Sequence, residues 1–94
     1  MASFVGGSAP AMARQVCDGY TLVSAPMLKR LTVQQLDQLI FELDKSLRTT
    51  RSEPVNLDDQ QTNAKRNRRI SRIEGALRVI KASAQEKRRR GIRG

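Results

Sequence analysis

The sequence predicts an all-α fold: an antiparallel two-helix hairpin with an irregular N-terminal extension and a basic C-terminal tail. Three observations predict it. Leu36, Leu39, Ile40, Leu43 and Leu47 recur at helical spacing. Ile70, Ile73, Leu77, Ile80 and Ala84 do the same, at alternating intervals of three and four. Between the two runs lies only a short polar connection beginning at Pro54, and short connections favour antiparallel neighbours. The expected division is residues 1–27 as the extension, 28–86 as the hairpin and 87–94 as the tail, with helices over about 32–52 and about 57–86.

The extension contains Gly6-Gly7, Pro10, Gly19 and Pro26 without a sustained period, which reads as irregular chain that needs a surface to lie on. It lacks the charged start and apolar stretch of a secretory signal. Its small residues, with Arg14 and Asp18 as the charges between Met1 and Pro26, give it a slight likeness to an organellar presequence.

The first helix has a marked start. Thr32 and Gln35 form the S/T-x-x-E/Q capping box, and Leu31 and Leu36 stand at the positions of a hydrophobic staple. Leu28 to Arg30 can make a short preceding turn. Pro54 ends the helix, because it disfavours helical backbone at Glu53 and offers no N–H. For the second helix, Asn56 suits the N-cap, and Asp58 and Asp59 suit the positive end of the helix dipole. Gly75 lies inside it, either tolerated or marking close approach of a partner.

With two Phe, one Tyr and no Trp in 94 residues, the core should be a thin aliphatic seam with a partner covering the rest. No His and a single Cys17 exclude a Cys/His metal cluster and an intramolecular disulfide, and fit a reducing compartment. No nucleophile stands beside a base and no glycine-rich phosphate loop occurs, so neither catalysis nor a cofactor or small-molecule substrate is expected. No apolar run approaches the roughly 18 residues of a membrane span.

Charge is the informative feature. The chain has 18 Lys and Arg against 9 acids, net +9. From Lys65 onward there are 12 bases and 2 acids, so essentially all the excess lies in one segment. Such a segment attracts a polyanion, nucleic acid first. Lys65, Arg66, Arg68, Arg69 and Arg72 form the first cluster. Lys65, Arg68, Arg69 and Arg72 fall on one flank of a helix, beside the Ile70/Ile73 seam, where a row of cations can follow phosphates. Arg78 and Lys81 continue the candidate set. Lys87, Arg88, Arg89, Arg90 and Arg93 read as an extended arm that orders on RNA. No stacking aromatics accompany these clusters, which favours recognition of RNA shape and backbone over single-stranded bases. Phe41 points away from its helix's apolar stripe and is a candidate contact for a neighbouring protein.

Two runs carry a resemblance. Leu28-Lys-Arg-Leu-Thr-Val-Gln-Gln-Leu36, followed by Ile40, Leu43, Lys45, Leu47 and Arg51, resembles the first helix of large-subunit ribosomal protein family twenty-nine. Asn67-Arg68-Arg69-Ile70-Ser71-Arg72-Ile73 resembles that family's Arg-Arg-x-Ile-Ala-Arg-Ile signature. The likeness covers about residues 28–82. Asn67 departs from a usual basic residue and Ser71 from Ala, the linker is shorter than in many members, and the extension has no counterpart in the short bacterial form. The resemblance implies a structural component bound to large-subunit ribosomal RNA near the nascent-chain exit, among neighbouring ribosomal proteins. The implied location is a cytoplasmic ribosome, with an organellar one as the alternative. The competing expectation is a homodimer that clamps double-stranded RNA. Leu39-Ile40-Phe41-Glu42-Leu43 and Asn63 to Arg66 resemble, weakly, small viral suppressors of RNA silencing. A coiled-coil adaptor is a third class.

Overall fold

The computed structural model describes residues 7–54 and 58–91. Among these the protein is all-α, and it has four helices where the sequence predicts two: α1 (Ala9–Asp18), α2 (Ala25–Lys29), α3 (Val33–Ser52) and α4 (Gln60–Gly91).

The largest correction concerns the extension. Its breaker residues are helix punctuation. Ser8 is the N-cap of α1 and its hydroxyl accepts from the Ala11 N–H at 3.2 Å. Pro10 sits in the first turn, where a missing N–H is harmless. Gly19, at φ 84°, closes the helix in a Schellman motif, with Gly19 N–H donating to the Val16 carbonyl and Tyr20 N–H to that of Gln15. Ala9, Met12, Ala13, Val16 and Cys17 make one apolar face, and all are buried. That face packs on both α3 and α4. Part of the α3–α4 surface is therefore covered by the chain itself.

α3 begins as expected. Thr32 Oγ1 accepts from Gln35 N–H at 3.1 Å, and Gln35 Oε1 accepts from Thr32 N–H at 2.8 Å. It ends at Ser52, with Glu53 extended before Pro54. Leu36, Leu39, Leu43 and Leu47 are buried against Ile73, Leu77, Ile80 and Ala84, while Ile40 and Ile70 flank that core half-buried.

α4 is displaced relative to expectation at both ends. It starts at Gln60, not near residue 57. Its N-cap is Asp59, which accepts from the Thr62 N–H at 3.1 Å and from the Thr62 hydroxyl. Asn56, the expected cap, lies outside the described residues. At the other end the helix runs to Gly91, so Lys87 to Arg90 are helical and not an extended arm. Once the Ala84 turn is packed, Gln85 to Arg90 hold no breaker, and cations suit a helix's C-terminal end. Ion pairs from Arg51 to Glu74 (2.5 Å) and from Arg88 to Asp37 (2.5 Å) fix α3 antiparallel to α4. α4 spans about 48 Å at 1.5 Å per residue and sets the 55 Å length of the molecule.

Candidate nucleic-acid interface

α4 carries most of the candidate cations, and the structure sorts them by what each touches. Three of them close the C-terminal ends of the other three helices. Arg72 Nη1 donates to the Cys17 carbonyl of α1 at 3.2 Å. Its guanidinium lies so near Gly19 that a Cβ there would stand 3.0 Å from Cζ. Lys87 Nζ donates to the carbonyls of Leu28 (3.0 Å), Lys29 (2.9 Å) and Leu31, at the end of α2. Arg66 donates from Nε to Thr50 O (3.3 Å) and from Nη2 to Arg51 O (3.1 Å), at the end of α3. A helix C-terminus presents unpaired carbonyls and the negative end of its dipole, so a cation reaching across from a neighbour satisfies both.

Two further candidates are in ion pairs between helices: Arg69 with Asp18 at 2.7 Å, and Arg88 with Asp37. Arg89 and Arg90 sit on Glu86 within their own helix and stay largely exposed. Lys65, Arg68, Arg78 and Lys81 are exposed, and among the described residues no hydrogen bond or ion pair holds them. Arg93 lies outside the described residues.

The expected row of four is thus split. Lys65 and Arg68 face solvent, while Arg69 and Arg72 turn toward α1. All four, with Arg66, line one open groove of about 780 Å³ between the end of α1 and the first half of α4. Two carboxylates share its wall, Asp18, held by Arg69, and Glu53. Lys81 lies more than a right angle around α4 from both Lys65 and Arg68, at about 100° per residue, and Arg78 stands nearly three turns along the helix from Arg68, so neither lines this groove.

The groove also contains Tyr20, whose side chain is 84% exposed. The sequence reading missed it because it lies some fifty positions before the cations. The Ser8, Pro10 and Gly19 punctuation of α1 was the signal that could have brought it there.

Elsewhere the surface is less telling. Phe41 is 61% exposed and borders a shallow apolar depression beside the start of α1. Gly75 has open space where its side chain would be, so no close approach within the chain explains it. Cys17 is fully buried, and burial foremost raises its thiol pKa, opposed by a Ser46 hydrogen bond and the Arg69 charge. Among the described residues no group of acids or cysteine could hold a metal ion, and no helix is long and apolar enough to cross a membrane.

No family model, curated protein or solved structure matches the chain.

Proposed function

We propose that the protein is a structural RNA-binding component that holds the RNA backbone along the first half of α4, with Lys65 and Arg68 as the leading phosphate contacts. The observation that carries this is the groove itself, with five cations against two carboxylates, one of them already paired. Arg66, Arg69 and Arg72 are held by their hydrogen bonds and shape the field. Lys65 and Arg68 have charge to offer from a rigid helix, so they lose less freedom on binding than a flexible arm would. Large-subunit ribosomal RNA is the target that the sequence resemblance implies, with the α3–α4 pair as that family's hairpin and Phe41 facing a neighbouring ribosomal protein.

The test is a salt titration of RNA binding. Replacing Lys65 and Arg68 together with Gln should weaken binding and reduce the salt slope by nearly two, at about 0.9 or less per phosphate contact. Replacing Arg89 and Arg90 the same way should do less. Equal losses would show that bulk charge decides, and the groove would have no special place. Co-sedimentation of the tagged protein with large subunits through a high-salt cushion tests the target. A stable free dimer that prefers duplex RNA would favour the double-stranded-RNA clamp instead.

A further inference from the structure

We propose that Tyr20 is a stacking platform for an unpaired RNA base, so that the groove takes a single-stranded nucleotide whose phosphates lie on α4. The proposal rests on the RNA-binding reading above and names the class of RNA.

Three observations carry it. First, the ring stands in water in a groove lined by five cations. Tyr20 ordinarily would bury its ring and wet only its hydroxyl, yet it is 84% exposed and shares a groove with Lys65, Arg68 and Arg72. Second, the backbone beneath it is fixed. Tyr20 N–H donates to the Gln15 carbonyl at 2.9 Å, Gly19 takes the left-handed turn, and the Thr21 hydroxyl donates to Gln15 Oε1 at 2.8 Å. A platform so held has only two side-chain torsions to lose on contact. Third, the Arg72 guanidinium packs against the Gly19 backbone, one residue before the ring. A phosphate held by this arginine side of the groove leaves its base within reach of the ring. A π-face beside a cation track is the combination by which single strands are held without reading sequence. A base pair inside a duplex has both faces covered by its neighbours, so the body of duplex RNA should use the cations alone.

The chain has one Tyr and no Trp, so its intrinsic fluorescence reports Tyr20 alone. The experiment titrates the full-length protein, its Tyr20→Ala and Tyr20→Phe variants and the Lys65/Arg68 double variant with oligoadenylate and with an A–U duplex whose two ends are closed by non-nucleotide linkers. The side chain of Tyr20 is exposed and its helix-closing bond is from the backbone, so neither Tyr20 substitution should disturb the fold. Oligoadenylate is expected to quench the fluorescence and the duplex is not. Tyr20→Ala should lower affinity for oligoadenylate about tenfold, the size of one lost stack, while Tyr20→Phe keeps it and duplex affinity stays unchanged. Single-stranded binding without quenching, or equal loss on both RNAs, would overturn the stacking role. Binding that weakens in the Lys65/Arg68 variant while Tyr20 stays silent sinks this inference alone, whereas no binding of either RNA sinks the RNA reading with it.

Discussion

Asp59 shows how one side chain decides where a long helix starts. Its carboxylate accepts from the Thr62 hydroxyl and N–H, and these bonds, the hydroxyl first, hold its pKa below the ordinary aspartate value. A group whose pKa is lower folded than unfolded stabilises the fold above its unfolded pKa of about 3.9, and that contribution is lost as pH falls through the folded value. The amides of Thr62 and Asn63 should therefore lose exchange protection on acidification below that range. Asp59→Asn, which still caps but does not titrate there, should remove that dependence. If both proteins fray alike, the cap is elsewhere. The sequence puts the cap at Asn56 and reads Asp58 and Asp59 as first-turn charges, because Asn and Asp cap equally well and only the packed register of α4 separates them.

At the scale of elements, what was legible is what repeats. The leucines of α3 and the isoleucines of α4 announce their helices and their shared core, and the Thr32/Gln35 box announces an end. α1 was not legible, because its buried face is mostly Ala, Met and Cys and its glycines and proline resemble loop. The roles of the cations were equally hidden. Lys87 sits amid a run of like residues, and only the position of α2 makes it a cap for three carbonyls. Lys87→Met keeps the aliphatic stem and removes the donors. It should lower stability by about 2 kcal/mol, the scale of hydrogen bonds to a charged group, and expose the α2 amides to exchange. Arg89→Met, which breaks only an exposed pair on its own helix, should leave a urea melt nearly unchanged. If the two variants melt together, the Lys87 bonds carry no special stability.

Taken whole, the molecule is a rod laid along α4, with α1 and α3 antiparallel to it and α2 near its far end. At the C-terminal end of each of the three earlier helices, carbonyls accept from a side chain of the last one. Order of synthesis then matters. During translation α1, α2 and α3 emerge before the α4 side chains that complete their C-terminal ends, and α3's leucines emerge before the isoleucines they pack on. Short helices with open ends are marginal alone in water. A fragment of residues 1–59 should show little helix by circular dichroism, and adding a peptide of residues 60–94 should restore it. A helical fragment would refute this. The nascent chain consequently stays unfolded through most of its synthesis and completes its fold in a late, concerted step. Until then its aliphatic surfaces are open to whatever meets them, a chaperone or another unfinished chain.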